Sequence, residues 1–512
     1  MTFCFRGGSV MPPDDDGDNV VHLGKKSRKL RNPPAGVVVI SPSAPLVIAQ
    51  IFLDHTYGDP RRAKLIRHRG GFYQWNGSSW SDNGEEPLRA ELYEYLAGCF
   101  RPAKQGNGIE PVQPNIKLVT EVLSALRALA LIADEIEPPV WLGDDPKRPH
   151  SKEIVAFKNG LLHLPTLELI SPTPEFFNLT ALGVAWDENA EKPSHWFDFL
   201  QQLWPDDSES INTLQQIFGY CLTPETRLQK AFMIIGPPRS GKGTIGRVLG
   251  ALVTSANTAS PTLSGLSRQF GRQSLIGKTL ALIGDARVGW DTDPVAIAEH
   301  LLSITGEDQV TVERKNKPDW IGKLTIKFLV LCTELPTMTD DSAGIASRFI
   351  VLRLISSFLG KEDQELTTKL LRELPGIAVW AVAGWQALFG KSGGKINQPK
   401  SAQGYADDLQ DLVAVVKNYL DERCDFNPNY FIRKTYLYED HCSWRTTRGF
   451  PSITQKTFGA KLRAAFPGLD DYRPRADVGS QGEIQDDGTA PSDSNQDNKR
   501  PRHYRGLRLQ SP

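Results

Sequence analysis

Short, almost entirely apolar runs recur through the middle of the chain, between longer stretches with helical spacing. The runs lie at residues 231–235 (AFMII), 279–283 (TLALI) and 328–331 (FLVL). A strand that is apolar along its whole length is buried on both faces, as in a parallel sheet covered by helices. Apolar residues three and four apart predict the covering helices at 117–135, 196–203, 211–221, 294–304 and 376–388. The middle of the chain is therefore predicted to be α/β.

The C-terminal part of the chain has a different pattern. Helical spacing at three places precedes two short strand-like segments, which together lie at 409–420, 435–445, 452–466, 472–475 and 503–509. Three helices followed by two strands suit a winged-helix-like DNA-binding module. The polar stretch at 477–502 is predicted to be a disordered insertion within it.

Composition narrows the classes of protein that the chain can represent. It has 512 residues, of which 40% are hydrophobic and 23% charged, and its formal net charge is -1. This length exceeds what one hydrophobic core supports, so several domains are expected. No apolar run approaches the ~18 residues of a membrane span, and the amino terminus lacks a signal-peptide pattern, so we expect a cytoplasmic protein without a membrane segment. The six cysteines include no C-x-x-C pair, which argues against a zinc ribbon.

The stretch GPPRSGKGT at residues 236–244 is a candidate phosphate-binding loop. It meets the spacing G-x-x-x-x-G-K between an apolar strand-like run and a helix-like pattern, where backbone N–H groups and a lysine can surround a polyphosphate. Glycine occupies the position of the usual magnesium-binding hydroxyl, so the candidate metal ligand is the threonine one position later. The predicted ATP contacts are Gly236, Pro237, Pro238, Arg239, Ser240, Gly241, Lys242, Gly243 and Thr244.

Two further candidate catalytic residues lie at the ends of apolar runs: Asp285 follows one run and Arg348 precedes another. Asp285 comes directly after a strand-like run, where an acid can hold Mg²⁺ and help to orient the attacking water. The alternative is that Asp285 only begins a turn. Arg348 directly precedes another apolar run and is either an ordinary surface ion-pair partner or an arginine finger that stabilises charge on the γ-phosphoryl group.

Two basic clusters are candidate DNA contacts. Residues 310–332 predict two strands around a polar turn, and a cationic hairpin can follow a phosphate backbone, although solvated charge is the alternative. Its basic residues are Arg314, Lys315, Lys317 and Lys323. The helix predicted at 452–466 carries Lys456, Lys461 and Arg463, which could enter a major groove or be unremarkable surface charges.

Five stretches together resemble the superfamily 3 helicase region of phage and plasmid replicative primase-helicases, within the AAA+ ATPases. The resemblance is carried by FKNGLLHL (157–164), FGYCLTPETRLQKAFMIIGPPRSGKGT (218–244), GDAR (284–287), ITGEDQVTVERK (304–315) and LCTELPTMTDDSAGIASRFIVL (331–352). It implies an α/β fold: a P-loop AAA+ ATPase core with a helical N-terminal collar and a C-terminal winged-helix-like module. It also implies ATP and Mg²⁺ as cofactors and assembly into a hexameric ring.

The resemblance assigns roles by position. It implies that Lys242 and Thr244 belong to motif A, Asp285 to motif B, Thr333 to the sensor position and Arg348 to the finger that acts on a neighbour's ATP. The chain departs from the family in having Thr333 where asparagine is common, and in lacking a second acid after Asp285. Glu307 is a substitute candidate for the general base. Nothing upstream of the ATPase resembles a primase centre.

With the resemblance, the chain divides into six predicted segments. They are a disordered tail at 1–44, a small aromatic-rich domain at 45–115, a helical collar region at 116–204, the ATPase at 205–389, a linker at 390–405 and the winged-helix-like module at 406–512.

The chain is predicted to be an ATP-dependent DNA helicase, a replication protein of a phage, prophage or plasmid that unwinds DNA as a ring. Its expected partners are single-stranded and forked DNA, identical subunits, and a separate primase or other replication proteins. Two alternatives stay open. The sequence Gly-Lys-Gly-Thr also occurs in nucleotide kinases, and the chain could be a DNA-binding initiator that uses ATP only for assembly.

Overall fold

The computed structural model describes residues 38–58, 64–103, 108–143, 145–284, 293–315, 317–335, 344–413, 415–448, 450, 452–466, 469–472 and 502–510. The predictions for residues 1–37, for Asp285 and for residues 477–501 lie outside this part of the chain. Two compact units are present: residues 1–74 with 82–135, and residues 75–81 with 136–512. Within the described residues, no helix is both long enough and apolar enough to cross a lipid bilayer.

The first unit is organised around its helices. From residue 45 to residue 129 the elements are α1 (Pro45–Tyr57), β1 (Leu65–His68), β2 (Gly71–Trp75), β3 (Trp80–Asp82), α2 (Glu85–Ala97), β4 (Phe100–Pro102), β5 (Ile109–Pro111) and α3 (Ile116–Leu129), of which β3 lies mostly in the stretch 75–81 that belongs to the second unit. The helix predicted at 117–135 is present as α3, which ends earlier, at Leu129, and buries Val119 and Val122 in one core with Phe52 of α1. The sequence grouped this helix with the segment 116–204. In the structure it belongs to the first unit, because its apolar face completes that core.

The second unit begins with small antiparallel sheets and two helices. Its elements up to residue 221 are β6 (Val140–Trp141), β7 (Ile154–Phe157), β8 (Gly160–His163), β9 (Glu168–Ile170), β10 (Phe176–Phe177), α4 (Ser194–Leu203) and α5 (Ser208–Cys221). The two helices confirm those predicted at 196–203 and 211–221.

A parallel sheet forms the centre of the second unit. The elements of this region are β11 (Ala231–Ile235), α6 (Lys242–Val253), β12 (Thr258–Ala259), α7 (Leu263–Leu266), β13 (Leu280–Gly284), α8 (Pro294–Thr305), β14 (Val310–Arg314), β15 (Lys317–Gly322), β16 (Lys327–Cys332), α9 (Gly344–Arg348), β17 (Phe349–Arg353), α10 (Leu366–Arg372) and α11 (Leu374–Gln386). The strand order in this sheet is β12-β13-β16-β11-β17, and every pairing is parallel. The carboxyl ends of all these strands therefore meet at one edge.

The two faces of this sheet are both covered, which explains its unbroken apolar strands. Side chains alternate along a strand, so neighbouring residues of β11 enter opposite cores. Phe232 and Ile234 pack with α5, α6 and α11, whereas Ala231, Met233 and Ile235 pack with α8 and the β14–β15 hairpin. The apolar run at 231–235 thus predicted the buried strand correctly.

Helices α5 and α11 touch through glycines. A Cβ atom built on Gly384 would lie 2.1 Å from the backbone oxygen of Gln215, and one on Gly219 would lie 2.3 Å from the backbone nitrogen of Trp385. A side chain at either position would overlap the backbone of the opposite helix. The absence of side chains at these two positions therefore sets how closely the helices approach.

The C-terminal part of the second unit alternates helices with a three-stranded sheet. Its elements are α12 (Gln403–Val413), α13 (Val415–Arg423), β18 (Cys424–Arg433), α14 (Lys434–Thr447), α15 (Gln455–Ala465), β19 (Asp470–Tyr472) and β20 (His503–Leu509), with sheet order β18-β20-β19. Sequence reasoning missed β18, because Asn427, Pro428 and Asn429 interrupt its apolar pattern. The pairing of β18 with β20 is irregular at this point.

The segment predicted as a linker at 390–405 packs against the central sheet. The Gln398 side chain accepts a hydrogen bond from Val351 N at 2.8 Å and donates one to Val351 O at 2.7 Å. It occupies the unpaired edge of β17 as a further strand would. These two bonds hold the predicted linker against the sheet.

Candidate functional site

The candidate phosphate loop connects the end of β11 at Ile235 to the start of α6 at Lys242. Two residues adopt left-handed backbone conformations, with φ of 58° at Arg239 and 93° at Gly241. A Cβ on Gly236 would lie 2.7 Å from the backbone oxygen of Leu354, the residue that follows β17. The loop therefore needs glycine at its start for close approach and at its end for the left-handed turn into the helix.

The ammonium group of Lys242 lies within the curve of the loop. Its Nζ donates to Gly236 O at 2.6 Å, to Pro237 O at 2.8 Å and to Ser240 Oγ at 3.2 Å. Partial burial lowers the pKa of Lys242 from its usual range. All three partners are neutral oxygens, so the positive charge stays available to an anion that displaces them.

The segment that follows β17 holds the outside of the loop. Ser357 Oγ donates to Pro238 O at 2.7 Å, and Phe358 N donates to Arg239 O at 3.0 Å. The guanidinium of Arg239 lies 3.6 Å from a carboxylate oxygen of Glu362. These contacts hold Pro238 and Arg239, whereas Lys242 binds other residues of the loop, so the loop conformation does not depend on Lys242 alone.

The structure explains why glycine, and not a hydroxyl residue, follows Lys242 at position 243. Thr244 is buried, and its hydroxyl accepts a hydrogen bond from Arg247 Nη2 at 3.0 Å. A Cβ on Gly243 would lie 3.3 Å from Arg247 Nη1, so glycine leaves room for the guanidinium beside the threonine. A hydroxyl that accepts one hydrogen bond keeps a second lone pair, which is compatible with a metal ligand. The predicted magnesium site stays a prediction, because its second ligand, Asp285, lies outside the described residues.

The sheet brings Thr333 to the edge where the loop lies. Thr333 is exposed and follows Cys332, whose backbone oxygen accepts a hydrogen bond from Gly236 N at 3.3 Å. Strand β13, which ends at Gly284 immediately before Asp285, pairs with the other side of β16. Burial raises the pKa of the Cys332 thiol to about 12, so this cysteine stays protonated beneath the loop. In the part of the chain that the structure describes, no cluster of three or more His, Cys, Asp or Glu side chains could hold a metal ion.

Arg348 lies at the opposite edge of the same sheet. Phe349, the next residue, is level with Ala231, the first residue of β11, while the loop begins beyond Ile235 at the far end. Four steps along a strand span about 13 Å at ~3.3 Å per residue. Arg348 therefore cannot reach the phosphate loop of its own chain.

Among the described residues, the hydrogen-bond partners of Arg348 are neutral. Its Nη1 donates to the side-chain oxygen of Gln229 and lies 3.5 Å from the backbone oxygen of the same residue. Beside it, Lys230 Nζ donates to Ser347 O at 2.6 Å. Burial lowers the pKa of Lys230, and the charges of Arg348 and Lys395 lower it further. Two cations with neutral hydrogen-bond partners, Arg348 and Lys230, therefore lie side by side at this edge.

Glu307, the substitute candidate for the general base, also lies at this second edge. Its carboxylate accepts a hydrogen bond from Thr226 Oγ1 at 2.5 Å, and the preceding Gly306 binds the side chain of Gln229 at 3.2 Å. These partners precede β11, whereas the loop follows it. Glu307 therefore cannot act as a base toward nucleotide bound at its own chain's loop.

The predicted basic hairpin is confirmed as β14 and β15, which pair in antiparallel fashion. Lys315 and Lys323 are exposed, and Arg314 is half-buried with its Nε donating to Pro318 O at 2.7 Å. Lys317 takes part in the strand pairing, and its side chain is outside the described set. The charge is mixed, because two acidic residues are exposed on the same hairpin: Glu313 and Asp319.

The candidate DNA-binding helix is α15. Lys456 and Arg463 are exposed and Lys461 is half-buried. Arg463 Nη1 lies 3.5 Å from a carboxylate oxygen of Asp471, an exposed contact that contributes little stability. The helix begins at Gln455, three residues after the predicted start at 452.

Two residues near the predicted sites were not predicted from sequence. Arg247 lies one helical turn beyond Gly243, a spacing that could have indicated their proximity. Gln229 carries no sequence signal, because its contacts come from segments distant along the chain.

Comparison with known proteins gives a family match over part of the chain and distant structural matches over most of it. Residues 234–348 match the model of a "Family of unknown function (DUF5906)", a stretch that runs from the end of β11 to Arg348. The apo structure of the NrS-1 C-terminal region aligns with a TM-score of 0.47 and 12% sequence identity over 82% of this chain and 86% of that one. The A form of the same apo region aligns with a TM-score of 0.45 and 12% identity over 83% and 87%. A further A-form structure gives a TM-score of 0.43 and 13% identity over 79% and 82%.

Proposed function

We propose that the chain is an ATP-dependent DNA helicase that takes part in replication of a phage, prophage or plasmid and works as a ring of identical subunits. One observation carries the proposal: Lys242 and Arg348 lie at opposite edges of one parallel sheet. An arginine that cannot reach its own chain's loop can reach the loop of an adjacent copy. A closed ring, by expectation a hexamer, repeats this contact at every subunit boundary.

In this proposal the phosphate loop binds ATP. The first N–H groups of α6 have no acceptor inside the helix, and with Lys242 they would bind the phosphates. Lys242 would exchange its hydrogen bonds to the loop oxygens for bonds to phosphate oxygens. Thr244 and Asp285 are the residues that would hold Mg²⁺, and the metal would neutralise charge on the phosphates. Thr333 would contact the attacking water, and Arg348 of the next subunit would stabilise charge on the γ-phosphoryl group.

The strand order supports a P-loop AAA+ core as the fold of the ATPase. The strand before the loop and the strand before Asp285 are separated by β16, which presents Thr333 between them. The order helix, strand, helix, helix, strand, strand from α13 to β20 supports a winged-helix-like module. Helix α4, at the end of the segment 116–204, would contribute to the collar, although the stretch between α3 and α4 forms strands β6 to β10 rather than the predicted α-helices.

DNA is the proposed track for this motor. The hairpin of β14 and β15 offers the exposed cations Lys315 and Lys323, and α15 offers Lys456 and Arg463. Contacts of this kind act through phosphates, so DNA binding should weaken steeply as salt is raised. A separate primase is a further proposed partner.

The experiment measures ATP hydrolysis with and without a forked DNA duplex, for the native chain, for Lys242→Ala and for a control, Lys361→Ala, at an exposed lysine near the loop. We expect DNA-stimulated hydrolysis and strand separation by the native chain and the control, and neither by Lys242→Ala. Absence of hydrolysis by the native chain would overturn the proposal. Phosphate transferred to an added nucleoside monophosphate would favour a kinase instead, and hydrolysis without strand separation would favour an initiator.

A further inference from the structure

Gln229 adopts a backbone conformation that side chains disfavour, at the edge of the sheet that carries Arg348. Its φ is 54°, in the left-handed region, and its backbone N–H donates to Thr226 O at 2.8 Å. Non-glycine residues hold this conformation where surrounding contacts require it, and such positions cluster at functional sites. The contacts of the Gln229 side chain therefore indicate what the conformation serves.

Both ends of the Gln229 amide are engaged. The side-chain oxygen accepts a hydrogen bond from Arg348 Nη1, and the side-chain Nε2 donates to Gly306 O at 3.2 Å. The orientation of the amide is thus fixed by its second bond, which leaves the oxygen facing the guanidinium. The Gln229 amide therefore holds Arg348, and Gly306 in turn holds the amide.

The neutrality of this partner matters for the chemistry. Among the described residues, neither Arg348 nor Lys230 forms an ion pair with a carboxylate, and the oxygens they contact belong to amide and carbonyl groups. A carboxylate in place of the amide would orient the guanidinium but would cancel its charge toward a phosphate. The glutamine amide orients the Arg348 guanidinium and leaves its positive charge available to a phosphate.

The same amide connects Arg348 to the root of the β14–β15 hairpin. Gly306 and Glu307 form the turn between α8 and β14, and the carboxylate of Glu307 is bound by Thr226, at the other end of the turn that contains Gln229. Two hydrogen bonds therefore join the segment before β11 to the segment that leads into the hairpin.

We propose that Gln229 is a positioning residue, which holds Arg348 at the edge facing a second copy of the chain and ties it to the base of the hairpin. The inference rests on the proposed function, since Arg348 must act on another subunit's nucleotide. Gln229 itself contacts no nucleotide. Its removal should slow hydrolysis through Arg348 and leave ATP binding at its own chain's loop intact.

The test replaces Gln229 with methionine, which keeps the chain length and removes the amide. Gln386→Met is the matched control, because Gln386 is a half-buried glutamine whose side chain donates to Leu164 O at 2.9 Å, away from Arg348. We expect kcat for DNA-stimulated hydrolysis to fall on the order of tenfold in Gln229→Met with KM for ATP unchanged. Gln229→Asn, whose residue type tolerates left-handed backbone but whose amide is one carbon shorter, should show the same loss.

A double variant and a mixing experiment separate positioning from general damage. Gln229→Met combined with Arg348→Ala should be no slower than Arg348→Ala alone, because both act through one guanidinium. Mixing Gln229→Met with inactive Lys242→Ala subunits should restore hydrolysis, since the latter supply an intact arginine to the former's loop. A native kcat in Gln229→Met while Arg348→Ala is impaired, or additive losses in the double variant, would overturn the inference alone. Native activity in Arg348→Ala would instead overturn the role of Arg348 in the proposed function.

Discussion

Acidification should destabilise the C-terminal part of the chain through one buried histidine. His441 of α14 is fully buried, its ring lies 4.1 Å from that of Phe458 and 4.8 Å from that of Tyr419, and neither ring nitrogen has a hydrogen-bond partner in the described structure. Burial and, to a lesser extent, the charge of Arg445 lower the pKa of His441 to about 3, against a partial opposing effect of Asp440. The native state therefore holds this imidazole neutral.

The sign and size of the effect follow from proton linkage. Between the native pKa of about 3 and the unfolded value of 6.5 the unfolded chain binds the extra proton, so the free energy of unfolding falls as pH falls through this range. From pH 7 to pH 5 the loss attributable to His441 is about 2 kcal/mol, at ~1.4 kcal/mol per pH unit over most of the interval. Above pH 6.5 the contribution is constant.

The assay compares urea unfolding of the native chain and of His441→Phe at pH 7 and pH 5, followed by tryptophan fluorescence. Phenylalanine fits an aromatic surrounding and does not titrate, while every other ionisable group is shared by the two proteins. We expect the native chain to lose about 2 kcal/mol more than the variant on acidification. Equal losses would show that His441 can be protonated without unfolding and would refute the reasoning.

Glycine substitutions test the close contacts around the central parallel sheet. Gly236→Ala should weaken ATP binding by at least about tenfold, or ~1.4 kcal/mol, because its Cβ would lie 2.7 Å from a backbone oxygen. In Gly243→Ala the new Cβ meets only a flexible guanidinium at 3.3 Å, so this variant should bind ATP normally. A calorimetric titration measures both affinities. Gly384→Ala should lower the free energy of unfolding by about 1–3 kcal/mol through overlap with a backbone oxygen at 2.1 Å. Gly404→Ala should raise the free energy of unfolding by about 0.5–1 kcal/mol through helix propensity, because no atom lies within 4 Å of its new Cβ. Equal thermal shifts in Gly384→Ala and Gly404→Ala would contradict the packing argument.

Local pattern predicted the elements around the site well. The apolar run 231–235 is a strand, the helices at 196–203, 211–221 and 294–304 are present, and the β14–β15 hairpin forms where alternating residues flank a polar turn. These features depend on neighbours in sequence, so spacing alone reveals them. Strand β18 escaped prediction because its polar centre conceals a pairing that β20 imposes from far along the chain.

Sequence by itself determined that the chain carries a glycine-bounded loop with Lys242 between a buried strand and a helix, and in what order Thr333 and Arg348 follow it. Only the tertiary structure decided that Thr333 lies beside the loop while Arg348 and Glu307 lie at the far edge of the sheet. The physical reason is that a parallel strand fixes direction: residues before it and after it end on opposite edges, whatever their separation in sequence. The parallel pairing of β11 and β17 separates Arg348 from the loop of its own chain, and no local pattern encodes that pairing. This separation is why the proposed hydrolysis needs a second copy of the chain.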